Sequence, residues 1–543
     1  MEEARKIAVD VRRFPWIRRL AGEYAWNFPS VETFFSGSPS SPDAWREAIA
    51  RAQAHPRRRD DITSAIMAQL GARRSPAAAK EAAARLRDPR AVAIVTGQQA
   101  GLFGGPLFTL LKAITTIQLA ARVSAEHGVP TLPVFWVDAE DHDWDEVRVC
   151  HVLDDDQHYR TITLPDPPGA NEIPVAWIRL DESVDRAADE LALTLAPTEF
   201  TDSVLGALRL SYRHGVGMAD AFAGWMDGLL GGRGLVVFDA ADPAAKSLAG
   251  DLFAREIATP GRTAALAIES GRALSARGHE PQVVPQEDGV ALFRLDGARR
   301  PIRVRDGRFA IGDEAVDGAA LAAEVASAPA RFSPNVLLRP LVQDTIFPTI
   351  CYVAGPSELA YLAQLGPIYE HFGIPMPLIH PRASATILDS ASARFLARYD
   401  LPLEALQPQG EATLNKLLES QLPPSVEQSL HAATAAVEAQ MAKVIEAVPA
   451  IDPTLVGAAK TTLGRMEHDL KTLHQKIIQA AKRRDETLRR QFARAQAQAF
   501  PAGQPQERAL GVVFFLNRYG WGLVDRLIED LPTEMGKHWV LTI

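Results

Sequence analysis

Residues 91–106, AVAIVTGQQAGLFGGP, decide how the chain folds. AVAIVT (91–96) is short, apolar and rich in β-branched residues, the composition of a strand buried on both faces. It runs into the glycine-rich turn GQQAGLFGGP. PLFTLLKAITTIQLAARVSAEHG (106–128) then carries apolar residues at helical spacing, with Pro106 where a first helical turn accepts it. LPVFWV (132–137) is a second buried strand. Strand, glycine turn, helix and strand make a βαβ unit.

Further strands are predicted at 234–240, 336–342, 349–355 and 376–381, and antiparallel hairpins at 282–309. The expected fold class is α/β: a Rossmann-like doubly wound core with inserted subdomains and a long antiparallel α-helical coiled-coil arm. A helical N-terminal portion occupies 1–85, and the core 86–400 with insertions over 155–335. The arm occupies 410–500, and 501–543 packs back on the core. Val426, Leu430, Ala433, Val437, Val444 and Val448 form one half of a heptad seam. Leu463, Met466, Leu470, Leu473, Ile477, Ala480 and Leu488 form the other, and Pro449 and Pro453 mark the turn. The second arm, about 40 residues, spans about 60 Å. That length favours dimerisation; the alternative is an arm lying along its own core.

The 543 residues imply roughly two to four domains. A net charge of −9 argues against nucleic-acid binding. Two cysteines, Cys150 and Cys351, allow no disulfide framework, and Cys351 in TICYV reads as core. The N-terminal residues show no signal-peptide h-region and no run approaches the length of a membrane span. The expectation is a cytoplasmic protein without membrane contact.

Three segments carry candidate chemistry. In the glycine turn these are Thr96, Gly97, Gln98, Gln99, Gly105 and Pro106. The turn fits neither GxxxxGK[ST] nor GxGxxG, yet it sits where parallel sheets bind ligands, and an anion can approach its backbone. A plain tight turn is the alternative. The second segment, WVDAEDHDWDE (136–146), puts Asp138, Glu140, Asp141, His142 and Asp143 after the second strand. Burying unpaired carboxylates is costly, so a cation is expected there: an ammonium group, or Mg²⁺ held by carboxylate and water. Extended geometry would set Asp138, Glu140 and His142 on one side, with Asp141 and Asp143 on the other. His142, Asp143, Glu140 and Asp141 are acid/base candidates. The alternative is a solvated loop capping a helix. In the third segment, residues 337–366, Arg339 and Asp344 close one strand-like run, Tyr352 lies in the next, and Gly355 leads into a helix bearing Glu358 and Tyr361. Arg339 and Arg382 could clamp a carboxylate or phosphate.

TGQQAGLFGGPLFTLLKAI (96–114), PVFWVDAEDHDWDEV (133–147) and the stretch from RPLVQDTIFPTICYVAGPSELAYLAQLG to PLIHPRAS (339–384) together resemble the bacillithiol biosynthesis cysteine-adding enzyme family, BshC. The arm and LNRYG (516–520) fit the same resemblance. It implies a ligase that joins cysteine to glucosaminyl-malate through an amide bond. It also implies a core related to nucleotidyl transferases and class I aminoacyl-tRNA synthetases, homodimers through the coiled coil, and an ATP or ADP site that would include Arg508, Asn517 and Tyr519. The synthetases' His-rich turn and lysine loop have no counterpart here, so the mode of carboxyl activation stays open. A nucleotidyl transferase or metal-assisted hydrolase on the same core, and a dimeric scaffold with a vestigial pocket, are the competing readings.

Overall fold

The computed structural model describes residues 6–407, 411–420, 424–484 and 486–543. The first five residues of the N-terminal portion, and residue 410 where the arm is expected to begin, lie outside the described residues. The chain divides into two compact units, Met1–Thr386 with Pro505–Leu541, and Ile387–Gln504 with Thr542–Ile543.

The first unit is built on five strands: β1 (Val92–Gln98), β2 (Thr131–Val137), β3 (Val236–Asp239), β4 (Thr349–Ala354) and β5 (Leu378–Pro381). Their order is 3-2-1-4-5, and every neighbouring pair is parallel. Both faces are covered, which is why these strands read as unbroken apolar runs rather than alternating ones. Helix α1 (Leu107–His127) crosses from β1 to β2 and stops at Gly128, whose φ of 64° ends it in the left-handed conformation. By length and composition alone α1 could cross a membrane, but it is a core helix, buried along most of its length. The strand order reverses between β1 and β4, so their carboxyl ends splay apart and leave a crevice.

Three expectations are revised. Residues 336–342 are not a strand: the chain enters helix α2 (Arg339–Ile346) there. Asn335 Oδ1 accepts from the backbone N–H groups of Leu337 and Leu338, and Pro340 sits in the first turn, where its missing N–H costs nothing. The stretch 155–335 is not inserted material throughout, because β3 lies within it and forms an edge of the central sheet. The N-terminal portion, largely helical as expected, also contributes a strand, Lys6–Asp10, paired antiparallel with Lys537–Thr542. The expected hairpins are present as Gly289–Leu295, Arg299–Arg305 and Arg308–Ile311.

The second unit holds a helical hairpin of α3 (Pro424–Ala447) and α4 (Leu455–Arg484), followed by α5 (Glu486–Ala499). A contact between His474 Nε2 and Glu427 Oε1 at 3.1 Å, about equally far from the turn, fixes the two arms as antiparallel. The seam differs in detail. Ile478 is buried, whereas Val444, Met466 and Leu473 are each more than 40% exposed. A single pair of helices covers only one stripe of each, so apolar positions off that stripe stay on the surface.

Candidate active site

The crevice between β1 and β4 is a hollow of about 340 Å³. Gly97, Gln98 and Gln99 line it from the end of β1, Asp138 from the end of β2, and Tyr352, Gly355, Glu358 and Tyr361 from β4 and the helix after it (Pro356–Leu362). Arg339, Arg382 and Arg508 complete the charged wall, with Lys112, Glu146 and Phe108.

Charges of opposite sign are interleaved around it. Lys112, buried on α1, donates to Gly97 O (2.8 Å) and Gln98 Oε1 (3.2 Å) and pairs with Glu358. Burial pushes the Glu358 carboxyl up, but Lys112, the Gly355 N–H and the Tyr352 hydroxyl outweigh it and hold the group below the ordinary range. Arg339 donates to the Tyr361 hydroxyl at 3.0 Å and lies 3.5 Å from Asp138. Asp138 is raised above the ordinary carboxylate range, because burial outweighs the attraction of Arg339. Arg382 is held by both oxygens of buried Glu507, at 2.9 and 2.7 Å. Its fork is therefore occupied, and it cannot clamp a ligand bidentately together with Arg339. Arg508 packs over the Phe108 ring at 5.8 Å and, among the described residues, has no carboxylate within ion-pair distance.

The acidic loop divides rather than presenting one face, because an irregular turn replaces the assumed extended run. Of Asp138, Glu140, Asp141, His142 and Asp143, only Asp138 reaches the hollow, which Glu146 also lines from the far end of the loop. Glu140 is buried and paired with Lys246, which also donates to Phe332 O at 2.8 Å. Asp141 accepts from Gln99 Nε2 at 2.7 Å. His142 Nδ1 lies 3.2 Å from Arg299 Nη1. Asp143 caps the one-turn helix Trp144–Val147 by accepting from the Glu146 N–H, so it performs the capping role given above as the alternative. Among the described residues no three of His, Cys, Asp and Glu are grouped to hold a metal ion. The donor set explains this, because the nearest carboxylates already face Arg339, Lys246 and Arg299.

Several other expected site residues are structural. Thr96 Oγ1 donates to Val353 O at 2.9 Å, tying β1 to β4. Pro106 caps α1, and Gly105 O accepts from the Val512 N–H at 3.0 Å. Asp344 is buried beneath the sheet, where Tyr369 and Gln343 donate to it; burial raises its carboxyl to about 6. Asn517 accepts from Thr201 and donates to Ala196 O, away from the hollow, and Tyr519 does not line it either. Three N–H groups of the glycine turn are already engaged: those of Gly101, Gly104 and Gly105 donate to Gln99 O, the Tyr212 hydroxyl and Leu102 O. At Gly104 (φ 93°) a Cβ would meet the Trp225 indole nitrogen at 2.5 Å, so this position admits only glycine. Burial pushes the Cys150 thiol up to about 12, and Cys351 is core, as expected.

Sequence pattern alone does not single out Lys246. Lys112 had a signal, being the only charge in the first fourteen residues of α1.

Two family models cover nearly the whole chain. "Bacillithiol biosynthesis BshC, N-terminal Rossmann-like domain" matches residues 6–383, and "Bacillithiol biosynthesis BshC, C-terminal coiled-coil domain" matches residues 385–543. The chain belongs to the BshC family. Relatives named "Putative cysteine ligase BshC" include one from Salinibacter ruber, 34% identical over an alignment of 537 residues, with 96% of this chain and 95% of the relative covered. Another, from Koribacter versatilis, is 33% identical and covers 97% of each chain. A third, from Geobacillus thermodenitrificans, is 29% identical over 97% of this chain and 98% of its own. The family's two domains meet between residues 383 and 385, within three residues of the boundary between the compact units.

Proposed function

We propose that this BshC-family chain is a ligase that joins the carboxyl of cysteine to the amine of glucosaminyl-malate in bacillithiol biosynthesis. The observation that carries this reading is the pairing of Arg339 and Asp138 at 3.5 Å on the wall of the switch-point hollow. A guanidinium suits a carboxylate, and a half-buried carboxylate beside it suits an amine. Arg339, steadied by Tyr361, would orient the cysteine carboxyl. Asp138 would take the proton from the attacking amine. Lys112 and Glu358 neutralise each other within the floor and fix Gln98.

Forming an amide from a free carboxylate is uphill in water, so an activating co-substrate is required. We propose ATP as that co-substrate. A cytoplasmic location accords with such chemistry. The purified chain is expected to release amide product, detected by mass spectrometry, and to consume ATP only when cysteine and glucosaminyl-malate are both present. Turnover with either substrate alone would favour a hydrolase or nucleotidyl transferase instead.

We also propose that the arm pairs with a second copy, supported by the exposed stripe that includes Val444, Met466 and Leu473. Replacing Met466 and Leu473 by glutamate is expected to convert a dimer to a monomer in sedimentation. An unchanged sedimentation coefficient would reject this face as the interface.

A further inference from the structure

Arg299 begins the second strand of the hairpin sheet, and nothing in its sequence neighbourhood connects it to the hollow. Its side chain is buried, with the guanidinium carbon 3.9 Å from the centre of the Phe293 ring. Two of its nitrogens are fixed: Nε donates to Ser333 Oγ at 3.2 Å and Nη2 to Pro334 O at 2.9 Å. Nη1 alone reaches the acidic loop, 3.4 Å from Asp141 Oδ1 and 3.2 Å from His142 Nδ1. Asp141 Oδ1 also accepts from the His142 N–H at 2.8 Å, so this carboxylate is held on one side by protein alone. Its other oxygen, Oδ2, accepts from Gln99 Nε2 at 2.7 Å.

A carboxylate can only accept, so Asp141 dictates which end of the Gln99 amide turns toward it. The two ends of a glutamine amide are nearly the same shape and opposite in hydrogen-bonding sense. Fixing the amide therefore fixes which end lies against Asp141 and leaves Oε1 as a buried acceptor without a protein partner. Of Arg299, Asp141, His142 and Gln99, only Gln99 lines the hollow.

We propose that Arg299 is a positioning residue, which acts through Asp141 to hold the Gln99 amide in one orientation on the substrate wall. The inserted hairpin sheet thereby sets the polarity of a site to which it contributes no wall residue. The proposal relies on the ligase reading only for one of its two assays.

The test is a double-mutant cycle in the full chain: wild type, Arg299→Met, Gln99→Leu and the double variant. One readout is kcat/KM for amide formation. The other is the ¹⁵N side-chain amide signal of Gln99, assigned by its loss in Gln99→Leu. Arg299→Met is expected to lower kcat/KM about 10- to 100-fold, the scale of a small misplacement at a reacting site. In the Gln99→Leu background the same change is expected to cost less than about 3-fold, since residues in one network are not additive. The Gln99 signal is expected to move toward that of an exposed glutamine in Arg299→Met. Equal losses in both backgrounds, or an unmoved Gln99 signal, would overturn the proposal. Should Arg299→Met fail to fold, Arg299→Lys serves the same cycle, keeping the charge and losing the planar fork. If the wild type forms no amide, the ligase reading fails and the Gln99 signal alone decides the positioning role.

Discussion

Asp138→Asn is expected to slow amide formation about 10²- to 10⁴-fold, the usual contribution of a positioned general base. Of the five titratable side chains from Asp138 to Asp143, it alone lines the hollow, and it stands 3.5 Å from Arg339. A base must be deprotonated to act. Burial raises the Asp138 carboxyl above the ordinary range, so the acidic limb of kcat should lie at higher pH than for an exposed aspartate. Activity rises as pH climbs through that value and falls below it. Asn cannot titrate, so the variant should be slow and should lack this limb. A kcat–pH profile of product formation checks both points. Asp138→Asn turning over like wild type would remove Asp138 from the chemistry.

The second large effect is on stability. Lys246→Met leaves Glu140 buried without its partner, and breaking such a pair by removing one member costs about 3–5 kcal/mol. Neither residue lines the hollow. The variant should therefore melt at markedly lower temperature in calorimetry, while the molecules that remain folded keep their turnover. Replacing both, Glu140→Leu with Lys246→Met, should restore most of the loss, because an apolar pair of similar volume is often neutral or better. A double variant no more stable than Lys246→Met would show that the site needs the charges themselves.

These two carboxylates are two residues apart, and the sequence offers no reason to separate them. Alternation would place Asp138 and Glu140 on one face, but the chain leaves β2 at Val137 and turns irregularly. The βαβ unit was legible because strands buried on both faces must be apolar and β-branched, and because α1 is long and periodic. The strand order was not. Reading 336–342 as a strand hid the reversal between β1 and β4, and with it the reason the hollow opens toward Glu358 rather than His142. VLLRPLV is a short apolar run, and periodicity cannot distinguish a strand from a buried helical turn there. Asn335, whose side chain organises the turn ahead of the helix, and Pro340 in its first turn are the local signals of that start. Lys246 and Arg299 were beyond sequence reading, since their partners lie 106 and about 158 residues away and no local pattern announces them. Arg382 lines the hollow, but no local pattern announces its engagement by Glu507, 125 residues on.

The reversed strand order also bears on when the site comes into being. Gln98 and Glu358 face one hollow from segments 260 positions apart, the difference of their numbers. During synthesis, β1, α1 and β2 leave the ribosome long before β4 exists to complete the wall. A nascent or prematurely terminated chain that ends ahead of β4 thus carries the amide-bearing turn and Asp138 with nothing opposite them. Ligand-assisted stabilisation can reach only chains long enough to have docked that fourth strand.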